Sequence, residues 1–265
     1  MPVKSDAHIS AIWVYPIKSL DGVRRERALI RPKAGLENDR EFAIADENGR
    51  LVTAKRNVNL HRIETSFSEY NQQVRFRNRQ LGVEQDTFDL HLGNERLDEW
   101  LSDFLGQRVG LVQDAEVGFP DEAYYSGPTI ISDESLQAVS QWFADWGPDE
   151  AIRRFRANIV LSTPTAFFED KLLPDSGSPV PFELGDASLI ALAPCIRCAV
   201  PTRDSRSGEV VQNFQRTFTF QRGVSLPKFV RESQYDTMYS LSVLTRFVGG
   251  ETTTLTVGDS LKFDS

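Results

Sequence analysis

At 265 residues the chain lies between one large domain and two ordinary ones, since single cores stop growing near roughly 250 to 300 residues. Its 40% hydrophobic, 26% charged and 10% aromatic residues can bury a core that offsets the entropy of ordering the chain, which excludes wholesale disorder. A formal net charge of −8 excludes a basic footprint over the whole chain, so no nucleic-acid partner is expected, although a local pocket for a small anion is compatible with it. The N-terminus, MPVKSDAHIS, has no apolar stretch of signal-peptide length. No window approaches the roughly 20 apolar residues of a membrane span, so a cytoplasmic protein with no membrane partner is expected.

Short apolar or β-branched segments at Ile9 to Tyr15, Arg27 to Ile30, Glu41 to Ala45, His61 to Ser66 and Gln73 to Phe76 predict strands separated by Gly, Asn and Asp turns. DENGR at 46–50 is a hairpin signal, with Asn48 and Gly49 suited to positive φ. From Glu95 the spacing of Leu97, Trp100, Leu101, Phe104 and Leu105 turns helical, and Gly106 ends it. Ser132 caps a second predicted helix whose stripe is Leu136, Val139, Trp142 and Phe143. More strands are predicted at Asn158 to Ser162, Ser188 to Leu192, Ser240 to Phe247 and Thr252 to Val257, with Gly-Asp turns at 185–186 and 258–259. Leu172 to Pro181 and the TRDSRSGEVV stretch predict surface loops. The class is α+β and predominantly β: a β-barrel-like domain over 1–93 packed on a second curled-sheet domain with a few helices over 94–265.

Only two cysteines are present, Cys195 and Cys198, too few for a disulfide framework. In APCIRCAVPTRD, residues 193–204, Arg197 favours thiolate over thiol, and thiolates are soft ligands and nucleophiles. Structural zinc needs four Cys or His ligands, whereas His8, His61 and His91 are distant in sequence. A thioredoxin-like pair needs a helix after the motif, and Pro201 interrupts it. The plain alternative is two half-buried thiols at a strand and turn.

The rest of the chain supplies cations. YPIKSL at 15–20 places Lys18 and Ser19 at a strand end, NDR at 38–40 adds Arg40, TAKR at 53–56 adds Lys55 and Arg56, and FRANIV at 155–160 adds Arg156 and Asn158. Singly each reads as surface charge; together they sketch an anion pocket in an acidic protein.

YPIKSL, NDREF, VTAKR, FRANIV, the Gly-Asp turn at 185–186 and CIRCAVPTRD occur in the order seen in proteins with a MOSC N-terminal barrel followed by a MOSC domain. The chain resembles that family over nearly its whole length, and most closely its amidoxime-reducing branch, which includes the mitochondrial amidoxime-reducing component and bacterial relatives. It is more distantly similar to the C-terminal domain of molybdenum cofactor sulfurases. The resemblance implies a MOSC β-barrel over 94–265 and a molybdenum cofactor, molybdopterin, whose metal is bound by Cys198, with Cys195 a neighbour. It assigns Lys18, Ser19 and Arg40 to the pterin phosphate and its surroundings, and Arg156 and Asn158 to the cofactor, with Ser126 and Thr202 at further cofactor-contacting positions. Pro201 stands where relatives often carry Thr, which alters the rim near the metal.

The expected activity is reduction of an N-hydroxylated or N-oxide small-molecule substrate at that metal. Without further cysteines the chain cannot ligate an iron–sulfur cluster, so electrons come from a separate flavin or iron–sulfur donor protein. Pyridoxal phosphate binding is not expected. No independent general acid stands out, and Asp204 reads as a solvated loop carboxylate. The loops 163–181 and 203–213 are expected to shape the mouth. Two other roles remain: sulfur transfer or cofactor carriage by Cys198, and a metal-free thiol–disulfide switch.

Overall fold

A computed structural model describes residues 3–68, 71–82, 86–121, 123–174 and 178–263. The chain runs through β1 (Val3–Val14), β2 (Val23–Arg25), β3 (Arg27–Ile30), β4 (Phe42–Asp46), β5 (Ile63–Phe67), β6 (Gln73–Asn78), β7 (Asp86–Asp89), α1 (Glu95–Leu105) and β8 (Val109–Gln113). It continues through β9 (Ile130–Ser132), α2 (Asp133–Ser140), α3 (Pro148–Phe155), β10 (Ile159–Ser162), β11 (Val180–Leu184), β12 (Ala187–Ile196), α4 (Phe214–Val224), β13 (Ser240–Phe247), β14 (Thr253–Thr256) and β15 (Ser260–Phe263). The class is α+β and mostly β, as the short apolar and β-branched segments between turns implied.

Seven strands close into a barrel in the order β10, β9, β13, β12, β11, β15, β1, with β1 returning to β10 and β2 added on β1. Closure leaves no open edge within the ring of seven strands. Ile9, Leu161, Leu184, Leu189, Val243 and Leu261 are fully buried and pack together as its core. A second core is formed where β4 pairs with β8, β5 to β7 make a three-stranded ladder, and α1 covers them with Leu97, Leu101 and Leu105. A third lies under α2, α3 and α4, where Val139, Ile152, Phe155 and Phe218 meet the outside of the barrel.

The local signals have physical counterparts. Asn94 Oδ1 accepts the Leu97 amide at 3.3 Å and starts α1, a cap worth about 1 kcal/mol, and Gly106 ends it at φ 65°. In the 46–50 turn only Gly49 takes positive φ; Asp46 accepts the Asn48 and Arg50 amides at 2.9 and 3.0 Å, so Asn48 need not. α2 ends at Ser140, so Trp142 and Phe143 lie in the turn beyond it yet still pack on the same core.

Three segments differ from expectation. His61 belongs to a 3₁₀ turn over Val58–Arg62, with Asn57 Oδ1 accepting the Asn59 amide, and the strand begins only at Ile63. Leu172 and Leu173 are buried in the barrel core and Val180 begins β11, which shortens the expected surface loop at both ends; residues 175–177 lie outside the described residues. α3 and α4 were not predicted, although Pro148, Asp149 and Glu150 in the first turn of α3 are a helix-start signal. Among the described residues no helix is long and apolar enough to cross a membrane.

Candidate functional site

A cavity of about 610 Å3 opens where the barrel meets the N-terminal core. Stretches from both parts of the chain reach it, among them the turn after β1, the loop before β4, the 53–63 segment, the loop before β9, the passage from α3 to β10, the end of β12 and the turn that follows it. Eight Lys or Arg side chains and four Asp line it, an excess of four positive charges inside a protein whose formal net charge is −8. Such a concave cationic site favours an anion.

Tyr15 organises two of the arginines. Its ring lies 5.3 Å from the Arg40 guanidinium and 4.2 Å from that of Arg156, and its hydroxyl donates to Ala157 O at 3.1 Å. Burial raises the Tyr15 pKa, so the phenol stays protonated. Burial also works against the charge on Arg40, but Asp39, with Asp121 behind it, holds the pKa above its ordinary value. Asp39 pairs with Arg40 and accepts the Tyr15 amide at 2.9 Å. Arg156 donates from Nη1 to Leu20 O at 2.5 Å, while its Nη2 is buried with no partner. Burial lowers the Arg156 pKa.

Lys18 donates to Phe119 O at 2.9 Å and to Asp121 at 2.6 Å, and Lys55 reaches the other oxygen of Asp121 at 3.1 Å. Burial lowers the Lys18 pKa against the pull of Asp121. Burial disfavours the Asp121 charge in turn, yet the two lysines prevail and its pKa falls well below the carboxylate range. Asp121 thus bridges both lysines at the mouth, where its side chain is 59% exposed.

The two thiols enter from β12. Its ladder with β13 slips between Pro194 and Ile196, so Cys195 sits at an irregularity that re-aims its side chain. Both cysteines are free, half-buried and in the cavity lining. Arg197 Nη1 donates to Cys195 Sγ at 2.9 Å and Nη2 to Phe155 O at 2.7 Å, leaving Nε buried and unpaired. The guanidinium therefore serves Cys195, not Cys198. Tyr239 Oη donates to Cys198 O at 3.1 Å, and the Arg197 amide donates to Tyr239 O at 2.9 Å, which ties the CIRC turn to β13.

The rim is clamped. Glu150 accepts from Arg154 Nε at 2.5 Å, Arg153 Nη2 at 3.1 Å and Ser205 Oγ at 2.7 Å. Arg154 also donates to Pro201 O at 3.1 Å and lies 4.0 Å from the Trp146 ring. Arg62 Nε, from the 3₁₀ turn Val58–Arg62, donates to Ser207 O at 3.2 Å. Gly208, at φ 76°, presses on the 3₁₀ turn so closely that an added Cβ would stand 2.3 Å from Val58 Cγ2.

Of the residues singled out from the sequence, Lys18, Ser19, Arg40, Ser126, Arg156, Asn158 and Cys198 all line this cavity. Thr202 is not among its lining residues; its hydroxyl donates to Ala199 O at 2.7 Å. Asn158 is 2% exposed and already committed, Nδ2 donating to Trp13 O at 3.1 Å and Oδ1 accepting the Thr129 amide at 3.2 Å. Ser19 Oγ accepts the Ala54 amide at 3.1 Å. Asp204 accepts the Arg206 and Ser207 amides and faces Arg154, so it shapes the rim loop. The 163–181 loop contributes no lining residue among those described; Val117, Pro120, Asp121, Tyr125, Ser126 and Gly127 line the cavity instead. His61, Asp121, Arg153, Arg154 and Arg203 line the site without having been singled out as site residues.

A phosphate-bearing, sulfur-ligated group fits this donor set. Arg156 and Arg197 line the same space as the two thiols, each carries a buried nitrogen without a partner, and an anion supplies acceptors to such guanidiniums. Among the described residues no three or more His, Cys, Asp or Glu are grouped so that they could hold a metal ion, so a metal here needs most of its ligands from a cofactor.

Fold and site together define a protein in which a closed barrel and an N-terminal β-rich unit share a cationic cavity bearing thiols. The chain belongs to the MOSC domain family: residues 116–262 match the MOSC domain and residues 6–108 the MOSC N-terminal beta barrel domain. It is 26% identical over 199 residues to molybdenum cofactor sulfurase 3 of Aedes aegypti, covering 61% of this chain and 26% of that one. It is 25% identical over 232 residues to the molybdenum cofactor sulfurase of Drosophila mojavensis, covering 74% of this chain and 28% of that one. The chain thus spans about a quarter of the length of these relatives. The crystal structure of the YuaD protein from Bacillus subtilis aligns with a TM-score of 0.40 at 11% identity, over 99% of this chain and 97% of that one.

Proposed function

We propose that the cavity holds a molybdenum cofactor with Cys198 as the protein ligand to the metal. In this reading the protein is a cytoplasmic oxidoreductase that reduces N-hydroxylated or N-oxide substrates with electrons from a separate flavin or iron–sulfur donor. The observation that carries it is the meeting of thiols with buried, unpaired arginine nitrogens in one cationic cavity. Lys18, Ser19, Arg40 and Arg156 bind the phosphate-bearing part, and Asn158 keeps the wall in shape by joining β10 to β1 and Thr129. When bound, the cofactor supplies two-electron oxygen-atom chemistry. The protein supplies position, charge and, through the clamped 203–208 loop, exclusion of water.

The test is elemental analysis of protein made in a host that synthesises the cofactor. One molybdenum per chain, lost in Cys198→Ala and kept in Cys195→Ala, supports the reading; metal kept in Cys198→Ala refutes the ligand assignment. Turnover of hydroxylamines or amidoximes by the chemically reduced protein supports the activity, and full metal occupancy without turnover counts against it.

A second reading, that Cys198 carries a persulfide and transfers sulfur, is favoured by the names of the two curated relatives. Cold-cyanide-labile sulfur that disappears in Cys198→Ala distinguishes it.

A further inference from the structure

Among the described residues, three that line the cavity carry a buried side-chain nitrogen without a hydrogen-bond partner: Arg156 at Nη2, Arg197 at Nε and His61 at Nε2. An anion accounts for the first two. It does not account for His61, a residue only 9% exposed in the 3₁₀ turn under the rim loop, with its Cβ 3.4 Å from where a Gly208 Cβ would stand. Burial, then Arg203 and Arg156, pull the His61 pKa down to about 4, against the contrary effect of a hydrogen bond to the Ala54 backbone; Arg154 adds to the lowering. The ring is therefore neutral at physiological pH and adds no charge to the site. Leaving its nitrogen unpaired forfeits the hydration lost on burial. A neutral imidazole nitrogen matches an uncharged hydrogen-bonding group and is a poor partner for a phosphate already served by guanidiniums.

We propose that His61 is a ligand-contacting residue of this cavity: Nε2 hydrogen-bonds an uncharged, heteroatom-bearing edge of the occupant, of the nitrogen-heterocycle class, while the arginines take its anionic part. This rests on the cofactor reading above and adds a contact that the sequence motifs do not contain. It also divides the cavity by chemistry: a phosphate-seeking side built from Arg40 and Arg156, and a heterocycle-seeking side at the turn Val58–Arg62.

The chain has only three histidines, so nitrogen-15 labelling of histidine gives resolvable ring signals, assigned with His61→Gln. Loaded and cofactor-free protein are compared between pH 6 and 8. The His61 signals are expected to keep the neutral pattern in both and to move on loading, while His8 and His91 stay in place. Cofactor retention, read as molybdenum and pterin per chain after dilution, is expected to fall about five- to tenfold in His61→Leu, the loss of one neutral hydrogen bond, and to be largely restored in His61→Gln. Full molybdenum in wild type with unmoved His61 signals and undiminished retention in His61→Leu overturns the His61 assignment and leaves the cofactor reading standing. Wild type lacking molybdenum and pterin overturns that reading and the assignment with it. If His61→Leu does not fold, the wild-type signals and His61→Gln decide.

Discussion

Glu150→Ala is expected to loosen the rim of the cavity at a calculable cost. Arg154 is buried, with a side chain 2% exposed, and Glu150 is its nearer carboxylate at 2.5 Å against 3.3 Å for Asp204. Removing one member of a buried pair costs roughly 3–5 kcal/mol. Asp204 remains to balance part of the charge, so the lower end, about 3 kcal/mol, applies. At about 2–4 °C per kcal/mol for a chain of this size, the melting temperature at pH 7 falls by ~6–12 °C. Burial opposes ionisation of Glu150, but Ser205, Arg154 and Arg153 more than compensate and hold its pKa below the ordinary 4.5. With a folded pKa below the unfolded one, this stabilisation is complete above about pH 4.5 and is lost as pH falls through the folded value. Thermal melts followed by circular dichroism from pH 7 down to pH 3 should therefore show wild type and variant converging in acid. Equal melting temperatures at pH 7, or a difference that widens as the pH drops, would refute the reasoning.

The remaining predictions address the mouth and the rim. Asp121→Asn releases Lys18 and Lys55; because Asp121 is 59% exposed, stability falls by only about 1 kcal/mol. Inorganic phosphate should bind the cofactor-free variant several-fold more tightly by calorimetry, the gain shrinking at high salt, and weaker binding would contradict the bridge described. Gly208→Ala puts a side chain at φ 76° and 2.3 Å from Val58 Cγ2, so a loss of about 1–3 kcal/mol is expected in urea unfolding, and an unchanged midpoint would show that the contact is slack.

Much of the fold was legible because it rests on local periodicity. Alternation in β6, the four-residue spacing of Leu97, Leu101 and Leu105, and the Gly106 stop are written in short windows. α4 was hidden because Phe218 and Phe220 around Thr219 mimic strand alternation, although Phe214 and Phe218 are the pair that is buried. His61 looked like the first residue of a strand because Leu60 and Ile63 flank it with apolar residues, and nothing local showed that Asn57 would cap a 3₁₀ turn there. Asp121 was invisible for a different reason. Its meaning depends on Lys18 and Lys55, 103 and 66 positions away.

Collective placement is also what makes the cavity more than a patch of surface charge. Ser19, Arg40 and Arg156 all line it, and all three hold left-handed backbone, at φ 72°, 53° and 53°. For residues with a Cβ that conformation costs roughly 1–2 kcal/mol each, so the fold must hold it with other bonds. Arg40 N donates to Tyr15 O at 2.7 Å, and Arg156 N donates to Ile152 O at 2.8 Å as the cap of α3. Each guanidinium is then aimed by a neighbour: Asp39 fixes one, the Leu20 carbonyl the other, and the Tyr15 ring packs against both. Two like charges held this close repel, and the unpaired Nη2 of Arg156 shows that the protein alone does not satisfy them. Backbone strain, charge repulsion and an unpaired donor converge on one space, and a single bound anion relieves the last two at once.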